Sequence, residues 1–247
     1  MARLGRAMRR GAAIGGTASA SSYVPTNFGF KYLYWAGGPE TLASNPTDDT
    51  TQQYFYDEKN LVDLQQTDST KRPKWKATAG PGGKPAWLFD GTNDYMPGTI
   101  SVSGTVGWTI VVIGIVGAAD RALWGNSAGN AYMYQNGTDW SMQGGPNVGG
   151  HGGHATAVDA NKHLFTQVVT TTKMALEVDG TPQRSNQSGE APYTLTTIQI
   201  GSMHPTYYFS NSYISLWGAY EGGDARDIAG WQAFEDWCET QYGLTVA

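Results

Sequence analysis

Residues 83–96 read "GKPAWLFDGTNDYM", and the way this stretch stops decides the fold. Pro85–Phe89 is a short apolar run with two aromatic rings, the composition of a buried strand. Asp90-Gly91 then turns the chain, and Asn93 and Asp94 follow directly. Three oxygen-bearing side chains within five residues could hold calcium, which accepts six to eight oxygens. Asp, Asn and Gly are also the residues whose side chains and free backbones build tight corners. The corner is the expected reading: Asp90-Gly91 turns a core strand, Asp94 ties the corner through backbone hydrogen bonds, and no cofactor or metal is expected.

Outward from this corner the same grammar repeats. "GWTIVVIGIVG", residues 107–117, is continuously apolar and β-branched, as expected of a strand covered on both faces. Asn136-Gly137 lies between aromatic-rich runs, and Asp179-Gly180 closes "HLFTQVVTTTKMALEVDG"; both are hairpin signals. "LTTIQIGS" alternates with period two, and "NSYISLWGAYE" gives a further strand. Composition agrees, with 33 Gly, 14 Tyr and 9 Trp favouring many short strands and tight turns. Residues 37–52 are loop by composition. The end of the chain changes period: Ile228, Trp231, Phe234, Cys238 and Tyr242 share one helical face. Asp224 is positioned to cap that helix, Asp227 adds an imperfect capping box, and Gly243 is the left-handed stop, giving a helix over 224–243.

Charge divides the chain in two. Residues 1–39 hold Arg3, Arg6, Arg9, Arg10 and Lys31 without an acid, a charge of +5. The remainder sets 11 basic residues against 21 acidic ones, a charge of −10. Residues 1–22 therefore read as a basic arm on an acidic body, 23–247, with the four arginines expected to bind an acidic partner surface. The start imitates a signal peptide, but "GAAIGGTA" lacks the apolar segment such a peptide needs. The arm is accordingly expected to be retained and held by a partner. No run approaches transmembrane length. Cys238 is the single cysteine, so no intramolecular disulfide forms, and its helical position predicts burial.

Two further groups are candidates for chemistry. His151 and His154, three apart in a Gly-rich loop, could share a metal, but no third ligand lies nearby; a plain loop is the expected reading, and metal residues are none. His163 and His204 stand apart and suggest nothing. Tyr132, Tyr134, Trp140, Tyr207 and Tyr208, with Phe209, are candidate glycan-stacking residues, since aromatic faces stack on sugar rings; the competing reading is that they fill the core. No nucleophile triad, phosphate loop or dinucleotide fingerprint is present.

Phe89-Asp90-Gly91 with Asp94-Tyr95, Val178-Asp179-Gly180 and the closing Tyr242-Gly243, in that order, resemble the laminin-G-like (concanavalin A-like) jelly-roll domains common in bacteriophage virion proteins. The likeness covers roughly residues 30–247 and includes "NLVDLQQTDSTKRPKWKA" as a lead-in strand. It implies an all-β jelly-roll sandwich with one C-terminal amphipathic helix. It also implies a non-enzymatic virion structural protein: a capsid decoration or minor capsid protein anchored by its arm. A tail or baseplate component, or a lectin-like adsorption module binding a host surface glycan, fits the same resemblance. The implied partners are the major capsid protein or other virion subunits and further copies of this chain. Neither a membrane nor a specific nucleic-acid sequence is implied, and assembly would occur in the host cytoplasm. Glu177-Val178-Asp179 matches the opening of the glucanase signature on such folds. That chemistry needs two carboxylates about 5 Å apart, and the positions where the second should follow are Gly180, Thr181 and Pro182. Catalytic residues are therefore expected to be none.

Overall fold

In the computed structural model the described residues are 24–44, 46–117, 121–136, 139–144, 161–187 and 192–247. The four arm arginines and the His151–His154 loop lie outside them. In chain order the strands are β1 (Tyr32–Trp35), β2 (Thr50–Thr51), β3 (Tyr54–Phe55), β4 (Leu64–Gln65), β5 (Lys74–Lys76), β6 (Ala86–Asp90) and β7 (Met96–Val102). They continue as β8 (Trp108–Val116), β9 (Arg121–Gly125), β10 (Tyr132–Asn136), β11 (Asp139–Gln143), β12 (Lys162–Val169), β13 (Met174–Val178) and β14 (Thr181–Gln187). The last four are β15 (Leu195–Ile200), β16 (Ser202–His204), β17 (Tyr207–Phe209) and β18 (Asn211–Glu221). Two helices are described, α1 (Pro39–Ala43) and α2 (Trp231–Tyr242). Short α1 and β2 fall within 37–52, which composition had assigned to loop.

Two antiparallel sheets make a sandwich. The larger runs β14-β13-β12-β8-β18-β6-β5-β2, with β1 added beside β18; the smaller runs β11-β10-β9-β15-β7. Between them lies the main core, where Trp87, Phe89, Trp108, Trp124 and Trp217 are fully buried. β8 explains the large sheet's position. Its period of two sends Trp108, Ile110 and Val112 into this core, and Val111 and Ile113 to the opposite face. A second core covers that opposite face, built from Phe28, Phe30, Leu164 and Leu216 with Trp231, Phe234, Cys238 and Tyr242 of α2. Burying each such large side chain contributes about 1.5–3 kcal/mol, so α2 is a structural layer and not an appendage.

The start of α2 departs from the sequence reading of 224–243. Asp224 accepts Arg226 N–H and caps a separate 3₁₀ turn, Ala225–Asp227, while Gly230 enters α2 with φ 98°. The left-handed break at Gly230 interrupts the helical face, so Ile228 packs on the helix-side core from outside the helix. Gly243, with φ 61°, ends the helix as expected, and Cys238 is buried.

Two predicted corners keep the strands in register. Asp179 (φ 50°) and Gly180 (φ 71°) connect the paired residues Val178 and Thr181, the two-residue turn with both central φ values positive. Around Asp90, the Oδ1 atom accepts Thr92 N–H at 2.8 Å and Asn93 N–H at 3.2 Å, while Asp94 Oδ2 accepts Asp90 N–H at 3.2 Å. Residues 90–94 thus form a corner closed by two carboxylates that accept from its own backbone N–H groups.

Candidate functional site

The five-stranded sheet has an outer face that the main core does not use. On β10, Met133 points into the core, so its neighbours Tyr132 and Tyr134 point outward and form a small separate cluster with Ala122 and Met203. The hairpin β16–β17 roofs this cluster. His204 pairs with Tyr207 across Pro205-Thr206, and Ser210 N–H donates to Gly201 carbonyl to close its base. The hairpin's backbone lies directly on the sheet: a Cβ on Gly125 would sit 2.4 Å from the Met203 carbonyl oxygen. Glycine is required there for close approach.

The roof ends in an aromatic corner. Tyr207 and Tyr208 are each 41% exposed. Their rings lie 5.1 Å apart at 86°, a right angle open to solvent. Each ring is backed by another: His204 stacks behind Tyr207 at 4.4 Å and 10°, and Tyr134 lies 4.6 Å behind Tyr208. Thr206 Oγ1 lies 3.0 Å from His204 Nδ1, which orients the imidazole. Tyr208 holds φ 57°, a left-handed backbone that a bulky residue adopts at a cost of about 1–3 kcal/mol. Tyr95 contacts Phe209 with 6.1 Å between ring centroids and joins the hairpin to the Asp90–Asp94 corner.

The sequence grouped these aromatics, and the fold separates them. Tyr132 and Tyr134, 4% and 8% exposed, are beneath the roof and support it. Burial raises the Tyr132 hydroxyl above its ordinary range, opposed by its hydrogen bond with Ser141. Trp140 faces the main core, 5% exposed, with its ring 4.6 Å from Phe165. Trp140, Tyr132 and Tyr134 are therefore withdrawn as stacking surfaces: alternation put Trp140 inward, and the hairpin covers the other two. Tyr207 and Tyr208 remain available. His204 was missed. Its signal was the Pro205-Thr206 turn, which sets His204 opposite Tyr207.

The other acidic candidates are occupied by the fold. Glu177 accepts from Arg226 Nη1, and Arg226 Nε and Nη2 grip Asp224 at 2.7 and 2.5 Å, with Lys173 adding a 2.7 Å contact. Burial would raise the Asp224 carboxyl, but Arg226 and then Lys173 overcome it and hold the group at about 2. Asp179 Oδ1 accepts Leu164 N–H at 2.8 Å and its Oδ2 lies 2.6 Å from His163 Nδ1. Asp94 is 7% exposed, and its carboxyl is pushed up to about 7 by burial and by the charge of Asp90. Among the described residues no three His, Cys, Asp or Glu side chains converge as metal ligands, and no helix is long and apolar enough to cross a membrane.

No family model and no curated protein matches this sequence. Solved structures do match its shape. A mutant of Trypanosoma rangeli sialidase displaying trans-sialidase activity is similar with a TM-score of 0.54 and 13% identity, over 83% of this chain and 33% of that one. Trypanosoma rangeli sialidase in complex with sialic acid gives 0.50 and 12%, over 86% and 33%. The botulinum neurotoxin serotype D binding domain gives 0.48 and 9%, over 84% and 51%. The fold is a β-sandwich. The chain spans about a third of the sialidases' length, and at this identity the likeness extends to architecture alone.

Proposed function

We propose that this protein is a non-enzymatic, carbohydrate-binding module of the concanavalin A-like jelly-roll type. It displays Tyr207 and Tyr208 as the stacking surface for a sugar ring. The observation that carries this reading is the exposed right-angled pair itself. Two large aromatic rings stand in solvent, each fixed from behind, one of them on a strained backbone. Rings held in place before binding lose little freedom on binding, which is how a small contact gains affinity. Glu177 and Asp179, the residues that would have suggested a hydrolase, are engaged in ion pairing and turn formation. A glycan array probed with the full chain tests the proposal. Binding that is lost in the Tyr207→Ala, Tyr208→Ala double variant supports it; binding unchanged in that variant removes it.

The setting we propose is a bacteriophage virion, as a capsid decoration or minor capsid protein, with a tail or baseplate position as the alternative. The ordered motifs that resemble phage jelly-roll domains favour this setting, as does the separation of a basic arm from an acidic body. Arg3, Arg6, Arg9 and Arg10 would bind acidic groups on neighbouring virion subunits. Co-sedimentation with capsids lacking the protein tests this, comparing the natural chain with one in which these four arginines are glutamates. Equal sedimentation of the two removes the arm from the account, and no sedimentation of either removes the capsid.

A further inference from the structure

The charge map around the aromatic corner narrows the ligand. Two stretches assemble the surface, residues 122–136 (β9 after its first residue Arg121, the following loop and β10) and residues 192–220 (β15 through most of β18). Neither contains a single Asp, Glu, Lys or Arg, in a chain where 15% of residues are charged. His204 is the one titratable base among them, and its ring is stacked behind Tyr207. Arg121 begins β9 at the end remote from Gly125, the residue on which the hairpin rests; it pairs with Gln135, whereas Gly125 pairs with Tyr132. At the hairpin's base Asn211 pairs with Asp90, so the nearest charge along that path is a carboxylate.

From this distribution, and resting on the glycan-binding reading above, we infer that the Tyr207–Tyr208 corner takes a neutral pyranose and discriminates against sialylated, uronic and other anionic sugars. An anionic sugar gives up hydration on binding and needs a guanidinium, an ammonium or converging N–H groups in return. The two stretches supply no fixed cation, and Asp90 would oppose the ligand's charge. A neutral hexose asks for less. One C–H face of the ring lies on Tyr207 or Tyr208, and its edge meets the second ring. Its hydroxyls find the two phenols and the polar loop at Asn126–Asn130, where Gly129 approaches Tyr207: a Cβ there would lie 3.6 Å from the phenol oxygen. The amide of Asn130 is aligned by Asn126 Nδ2, which donates to Asn130 Oδ1 at 2.7 Å.

The test uses the full chain with matched probes: β-galactosides, α-mannosides and β-glucans against their sialylated or uronic counterparts, titrated at about 0.05 and 0.5 M NaCl. The expected result is at least about tenfold preference for neutral sugars, with affinity changing less than about twofold across the salt range. Preference for an anionic sugar, weakened by salt, overturns this inference and leaves the glycan-binding reading intact. Failure to bind any probe overturns that reading, and this inference with it.

Discussion

Arg226 donates to Glu177 from 49 residues further along the chain, and the same guanidinium grips Asp224, two positions before it. Five strands, β14 to β18, separate these groups, yet one cation fastens the turn after β18 to the face of β13. Both carboxylates are buried, and Lys173 reaches Asp224 from the solvent side.

Removing that cation should be costly. Arg226→Met is expected to destabilise the protein by about 3 kcal/mol, because it strips two buried carboxylates of a shared partner. Glu177→Gln keeps an acceptor for Arg226 and should cost about 1 kcal/mol. Urea midpoints at neutral pH check both values, and sugar binding should be unaffected in either variant.

Two carboxylates give stability opposite slopes with pH. Asp224 titrates in the folded state at about 2, below its ordinary 3.8. Its contribution is complete above about pH 4 and is lost as pH falls through 2. Asp94 titrates at about 7, above its ordinary 3.8, so the folded state holds a proton that the unfolded chain releases. Its effect is to lower stability as pH rises from about 4 to 7. Asp94→Asn should therefore raise stability at pH 8 by about 2 kcal/mol and change little at pH 4. Denaturant titrations at the two pH values measure the difference; an equal shift at both would contradict the assignment.

Gly125→Ala separates the site from the fold. The added methyl meets the Met203 carbonyl and must push the hairpin off the sheet, while the core side chains stay in place. Sugar affinity should fall about tenfold. The tryptophan fluorescence of the buried core should keep its natural maximum.

Trp140 and Tyr207 should respond in opposite ways. Trp140→Ala opens the main core and is expected to cost about 3–5 kcal/mol. Tyr207→Ala sits at the surface, should stay within about 1 kcal/mol of the natural protein, and should weaken sugar binding by removing one of the two stacking rings. Thermal melts alongside glycan titrations distinguish the two.

Much of the architecture was legible because its signals are local. The positive φ values at Asp179-Gly180 need only those two residues, and the double burial of β8 is written in its unbroken apolar run. The face of α2 was legible too, but its start was not. Asp224 has the chemistry of a cap, and only the left-handed turn at Gly230 shows that it caps a different element. The site was half legible. Alternation on β10 and β11 puts Tyr134 and Trp140 on opposite faces, but it does not say which face another segment covers. The roof over Tyr134 comes from residues 202–209, about seventy positions later, and no local pattern carries that information.

The pairing of β1 with β18 has a consequence for how the chain is made. Lys31, just before β1, bonds Glu221 at the end of β18, 190 residues away. At 5–20 residues per second a ribosome takes roughly 10–40 s to produce that interval. Through all of it the apolar Tyr-Leu-Tyr-Trp segment of β1 has no strand to join. β1 leaves the ribosome long before the strand it joins, so this protein's exposure to misassembly falls during its own synthesis, when chaperone cover for those four residues matters most.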